Sequence, residues 1–247
     1  MRFGFYTSNS GSSGDPNLVI ELAERAEASG WDGFFLWDHL TASRQPVSDP
    51  WVMLGAVAVR TERMTIGPLI VPLARRRPQK VALEAATLER LAPHRTVLGV
   101  GLGAPDDFTR FGEDADWRVR ARKVEESLAT IRESLADLPV WVSGEWPRRQ
   151  PFHGVDAADG VFPIHRDGER FKPLTPDEAA AAVASLPERA RRDFAIWSFN
   201  DDGSGELADY EAAGVTWWMV EGFLLPPDEL RRIADAGPYR YVRPETL

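Results

Sequence analysis

The chain has 247 residues, a formal net charge of −9 and no cysteine. The missing cysteine excludes disulfides, thiolate metal sites and a cysteine nucleophile, and the acidic balance argues against broad nucleic-acid binding, which needs a basic surface. The chain opens on a strand-like run rather than a signal core, and no apolar stretch reaches the ~18 residues of a membrane span. The sequence therefore reads as a cytoplasmic protein with a core large enough to need no staples.

Taken in chain order, the pattern alternates. Arg2 to Thr7 reads as a strand. Asp15-Pro16 supplies an N-cap and a proline at the first helical position. Leu18, Leu22 and Ala26 follow at helical spacing until Ser29-Gly30 stops the helix. Gly33 to Trp37 is a second strand, and Asp49-Pro50 starts a helix that runs to about Thr61. Met64 to Val71 is a third strand. Pro78 opens a helix with Val81, Ala85 and Leu88 on one face. Thr96 to Gly101 is a fourth strand, and a long helix begins near Trp117 with Val124, Leu128, Ile131 and Leu135 on its buried stripe.

The second half keeps the rhythm. Leu138 to Ser143 is a fifth strand, and about Arg148 to Ala157 a helix. Gly160 to Ile164 is a sixth strand, and Thr175 to Glu178 forms a capping box that opens an Ala-rich helix. Phe194 to Phe199 is a seventh strand. Leu207 to Ala213 is a helix ended by Gly214, Val215 to Val220 an eighth strand, and Pro226 to Ala236 the last helix. Strands alternating with helices predict a parallel sheet joined by crossovers. Eight such units in about 250 residues favour a closed (β/α)8 barrel, an α/β fold of one domain spanning residues 1–247.

Barrels of this kind carry their sites at the C-terminal ends of the strands. Those ends present Tyr6, then Trp37-Asp38-His39, Leu69-Ile70, Gly101-Leu102-Gly103, Ser143-Gly144, His165 and Glu221. The set combines aromatic planes, an imidazole, acids and glycines that let a ligand approach backbone. The Gly101/Gly103 pair lacks a third glycine and lies outside the first βα unit, so it is no Rossmann fingerprint. Most of the nine tryptophans read as core. Arg75 to Arg77 reads as a solvated loop, with an anion site as the minority view. His39, His94, His153 and His165 form neither HxH nor HExxH, so no metal is expected, and no GxSxG elbow marks a hydrolase.

Several stretches resemble the bacterial luciferase-like flavin-dependent monooxygenase family: GWDGFFLWDHL from Gly30, the run from Thr61 to Leu91, HRTVLGVGLG from His94, and DDFTRFGED from Asp106. VWVSGEWPRRQPF from Val140, AADGVFP from Ala157 and YEAAGVTWWMVEG from Tyr210 are similar too. The resemblance implies a barrel that uses reduced FMN with oxygen, or a deazaflavin coenzyme for hydride transfer, on a small organic substrate, and that pairs as a homodimer. By resemblance, Tyr6, Trp37, Gly101 and Gly103 line the cofactor pocket. Leu69 and Ile70 form a bulged backing for the ring, with a cis peptide between them. Ser143 and Gly144 lie near the cofactor phosphate, before a helix that starts near Pro147; Arg149, close by in sequence, adds charge-assisted hydrogen bonds to it. His39 is the proton donor or acceptor, tuned or oriented by Asp38. The chain departs from the family in a missing hairpin before Pro139, a brief loop after the seventh strand, and Glu145 at a position where a base is commoner. Three functional readings follow: a flavin-dependent oxidoreductase, in the first place a monooxygenase; a flavin- or deazaflavin-binding barrel with little turnover; and a metal-free lyase or isomerase using His39 and Glu221.

Overall fold

The computed structural model describes residues 1–40, 45–147, 152–167, 170–198 and 207–242. The expected barrel is there. β1 (Arg2–Thr7), β2 (Gly33–Leu36), β3 (Thr65–Pro68), β4 (Val71–Pro72), β5 (Leu98–Gly101) and β6 (Val140–Trp146) are followed by β7 (Gly160–Asp167), β8 (Arg170–Phe171), β9 (Asp193–Ser198) and β10 (Trp217–Glu221). Nine of these form a parallel ladder in the order β3-β2-β1-β10-β9-β7-β6-β5-β4. β3 and β4 are two halves of one barrel position, parted at Leu69-Ile70 by the cis peptide that the resemblance implied. The ring closes where Ile66 N–H donates to the Arg95 carbonyl at 2.7 Å and Val97 N–H to that of Ile66 at 3.0 Å.

Helices α1 (Pro16–Ala28), α2 (Pro50–Arg60), α3 (Pro78–Leu91), α4 (Pro105–Thr109), α5 (Trp117–Ser134), α6 (Pro176–Ala184), α7 (Leu207–Ala212) and α8 (Pro227–Val242) fill the crossovers. Their starts follow the capping chemistry in the sequence. Asp15 accepts from Asn17 N–H and Asp49 from Trp51 and Val52 N–H, and Thr175 with Glu178 closes a reciprocal capping box. Among the described residues no helix is long and apolar enough to cross a membrane.

Two apolar layers hold the barrel together. One joins the outer strand faces to the helices. The other is the barrel interior, with Tyr6, Phe35, Leu69, Trp141, Trp217 and Met219 among its members, as expected when alternate residues of every strand face inward. Below this layer Asp193 accepts from the indole N–H groups of Trp141 at 3.2 Å and Trp217 at 3.1 Å. Two large indoles can thus be buried without stranding a donor.

Four details differ from the sequence reading. β6 runs past Ser143-Gly144 to Trp146, because parallel pairing with β7 continues to Trp146 opposite His165. β7 runs past Ile164 and turns back antiparallel as β8. α4 was not anticipated: its five residues are too few to show helical periodicity. The helix expected over Arg148 to Ala157 is absent from its described part, residues 152–157, which hold only a turn and one 3-10 turn at Val155–Ala157. Arg148 and Arg149 lie outside the described residues.

Candidate active site

The C-terminal strand ends converge on one mouth. Tyr6 donates its hydroxyl proton to the Leu69 carbonyl at 2.7 Å, which ties β1 to the β3–β4 break beneath it. A Cβ placed on Gly101 would lie 3.0 Å from Ile70 Cδ1 and 3.4 Å from Ser143 Cβ, so Ile70, Gly101 and Ser143 are neighbours on the far wall. Gly103 turns the chain away with a φ of 76°. Gly144 follows Ser143 on β6, half-buried. On the near side Trp37 packs on Phe223 at 3.8 Å between ring centroids, on His39 at 5.0 Å and edge-on to Tyr6 at 6.3 Å. The mouth therefore has an aromatic wall on β1 and β2 facing a small-residue wall on β5 and β6.

His39 is fixed from two directions. Asn9 clamps its backbone, donating to the His39 carbonyl at 2.8 Å and accepting its N–H at 3.3 Å. Its imidazole Nδ1 lies 2.8 Å from Asp107 Oδ2. A carboxylate accepts, so Nδ1 carries the proton and Nε2 presents its lone pair. Asp107 sits in the first turn of α4, is buried, and is flanked by Arg75, whose Nη2 donates to the Asp107 carbonyl at 3.0 Å. The guanidinium of Arg75 lies over the rings of Phe108 and Phe111 at 5.0 and 5.7 Å.

Asp38 makes no hydrogen bond to the His39 ring; the two act on each other only through charge. Its Oδ1 accepts from Arg76 and its Oδ2 has no hydrogen-bond partner. Burial pushes its carboxyl up, with the Arg76 charge pulling against that shift. The orienting acid is Asp107, 68 residues beyond His39, and the reading from sequence missed it along with Asn9. The one available signal was the acid pair after Pro105: Asp106 and Asp107 open a helix directly after a barrel strand end.

Besides Asp38 Oδ2, the buried atoms at the strand ends that lack a protein hydrogen bond include Ser143 Oγ, His165 Nδ1 and Glu221 Oε2. Glu221 stands opposite Tyr6 in the β1–β10 register. Burial alone pushes its carboxyl up to about 8, and burial together with Glu221 raises the Tyr6 phenol well above its usual value. The helix start expected near Pro147 to hold a phosphate beside Ser143 falls on residues 148–151, outside the described residues; residues 152–157 carry only short turns. A basic hollow among the described residues lies elsewhere. About 270 Å³ is lined by Arg75, Arg76, Arg77 and Lys123, together with Glu113 and Asp114. It sits directly beyond the β4 end.

A model of the luciferase-like monooxygenase family matches residues 1–168. The F420-dependent glucose-6-phosphate dehydrogenase of Nakamurella multipartita is 34% identical over 172 residues, 67% of this chain and 50% of that protein. The enzyme of the same description from Microbacterium testaceum is 35% identical over the same shares. This chain thus spans about half the length of the curated relatives it matches. Among solved structures, an F420-dependent secondary alcohol dehydrogenase in complex with an F420-acetone adduct superposes with a TM-score of 0.72, over 98% of this chain and 99% of that one, at 16% identity. The coenzyme F420 dependent tetrahydromethanopterin reductase of Methanopyrus kandleri superposes at 0.65, over 96% and 98%, at 15% identity. These two likenesses speak for the barrel alone. The matched stretch of residues 1–168 carries β1 to β7 and, with them, Asn9, His39 and Asp107, and on that match the chain belongs to the luciferase-like monooxygenase family.

Proposed function

We propose that this barrel is an oxidoreductase that binds a deazaflavin coenzyme and exchanges a hydride with a small organic substrate. One observation carries the reading: His39 is fixed by Asn9 and Asp107 so that Nε2 is the free end of the ring, beside an aromatic wall at the barrel mouth. The relatives with 34% and 35% identity are described as F420-dependent, which favours a deazaflavin over FMN.

The residues present fit such a ring. Gly101 and Ser143 leave little side-chain bulk beside Ile70 on that wall, and Ser143 Oγ is an unused polar atom there. Tyr6, Trp37, Leu69 and Gly103 complete the surround, with Gly144 next along β6. Arg77 and Lys123 are exposed at the basic hollow and suit an anionic tail. When bound, the coenzyme supplies the hydride acceptor or donor. The chain does the rest. Nε2 of His39 takes the substrate hydroxyl proton as the carbon is oxidised, and returns it in the reverse direction. Asp107 holds the ring in that tautomer and stabilises the imidazolium, Asn9 keeps its backbone in place, and the aromatic wall excludes water. Asp38, bonded to Arg76, holds the loop that bears His39.

A second reading, an FMN-dependent monooxygenase using oxygen, is favoured by the description of the matching family. In either case the reading is of one barrel domain in the cytoplasm, paired with a second copy. The test of the chemistry is His39→Ala. It should cut turnover ~100-fold or more, the usual loss for a missing general acid–base group, with coenzyme affinity unchanged. Unchanged turnover would remove His39 from the reaction.

A further inference from the structure

Glu221 is a buried acid at the mouth that the proposed chemistry leaves unused. It ends β10, in register with Tyr6. Trp217 and Met219, four and two residues before it, belong to the barrel interior, so strand alternation turns Glu221 to the same side. Its Oε2 is buried with no hydrogen-bond partner. A carboxyl oxygen taken from water and given nothing in return is costly, and at the mouth of a barrel the natural occupant of that bond is a ligand.

The surroundings say what kind of ligand. Arg76 is bonded to Asp38, and Arg75 lies between Asp107 and Glu113. Arg120 gives its guanidinium to the carbonyls of Leu102, Gly103 and Ala115. Glu145 adds another acid, half-buried, on β6. Among the described residues, Arg76 and Arg120 are thus committed and Arg75 is ion-paired with one buried nitrogen left over, so a phosphate group there would meet Glu221 with little free positive charge to offset it.

We propose that Glu221 hydrogen-bonds an uncharged oxygen of the substrate, so that the mouth selects a neutral alcohol or carbonyl compound over a phosphate ester. This inference rests on the function proposed above and names its substrate class. Burial pushes the Glu221 carboxyl up to about 8, so near neutral pH the group is an acid with both an O–H donor and a C=O acceptor to offer. No neighbouring charge contributes to that shift. The titratable neighbour on β1 is Tyr6, β9 contributes Trp197 and Ser198, and the segment after β10 contributes Phe223.

The test uses the whole chain with bound deazaflavin coenzyme, and 2-propanol and glucose 6-phosphate as probes. Coenzyme binding is measured first, by tryptophan fluorescence. Coenzyme reduction should then be at least ~100-fold more efficient in kcat/KM with the alcohol. Glu221→Ala should raise the alcohol KM ~10-fold or more, the loss typical of a buried hydrogen bond, with a smaller change in kcat. Glu221→Gln keeps a donor and an acceptor and should restore most of that loss. The wild-type KM should rise as pH passes 8, whereas that of Glu221→Gln should stay flat. Preference for glucose 6-phosphate, or an unchanged KM in Glu221→Ala with coenzyme bound, would overturn this inference alone. Failure of the wild type to bind the coenzyme would overturn the proposed function and this inference with it.

Discussion

At the residue scale, the mouth is organised by a few polar side chains with well-separated duties. His39 was visible from sequence because it follows a barrel strand end. Its partner was not, because nothing local joins His39 to an aspartate 68 residues away. The acid next to it, Asp38, looked like the partner and belongs instead to Arg76. Adjacent residues on an extended segment point to opposite sides, so neighbours in sequence make poor partners there. Glu221 offers a measurement that needs neither coenzyme nor substrate. Its carboxyl stands at about 8 in the folded chain, against ~4.3 in an unfolded one. Between those values the folded state keeps a proton that the unfolded state has released, so stability falls as pH rises toward 8 and levels off above it. Glu221→Gln cannot ionise. Its melting temperature should therefore gain on the wild type from pH 5 to about pH 8 and hold a constant lead above that. A constant difference across that range would mean that the carboxyl is ordinarily solvated.

At the element scale, the barrel strands were legible because buried parallel strands read as short apolar runs between helix caps. Caps at Asp15, Asp49 and Thr175 placed three helix starts correctly. The expected helix from Arg148 had no cap and no periodic apolar stripe behind it, and its described part is turn. β8 is a two-residue strand made by the return of β7, too short to leave a pattern. The closure of the ring depends on a close approach that the sequence shows only as a glycine. A Cβ on Gly67 would lie 1.9 Å from the Val97 carbonyl oxygen, and that backbone cannot retreat without opening the hydrogen bonds between Ile66 and residues 95–97. Gly67→Ala should therefore cost on the order of 3 kcal/mol in a urea titration, at the upper end of overpacking penalties. A loss below ~0.5 kcal/mol, the range of neutral surface changes, would show that the seam yields easily.

At the scale of the whole molecule, the outer surface is uneven. Val52 and Val59 on α2 and Leu83 on α3 are each more than 60% exposed, and Leu91 at the end of α3 is 44% exposed. Val52, Leu83 and Leu91 line one groove between α2 and α3 on the outside of the barrel. Contiguous apolar surface of this kind marks an association site, and the proposed homodimer would cover it. Light scattering should give the mass of two chains, and Val52→Glu with Leu83→Glu should reduce it to one while leaving the melting curve cooperative. A monomeric wild type would dismiss the pairing. The fold could be read from residue pattern alone because closure of eight units is a property of their rhythm. The choice of coenzyme could not, because FMN and a deazaflavin ask for nearly the same aromatic wall and glycine-lined floor. That choice is the centre of the account, and a fluorescence titration of the metal-free, coenzyme-free chain with each compound tests it most directly. The nine tryptophans, Trp37 at the mouth among them, supply the signal. The deazaflavin coenzyme should bind saturably and at least ~10-fold more tightly than FMN, a difference of about 1.4 kcal/mol. Tighter binding of FMN, or binding of neither, would contradict the account.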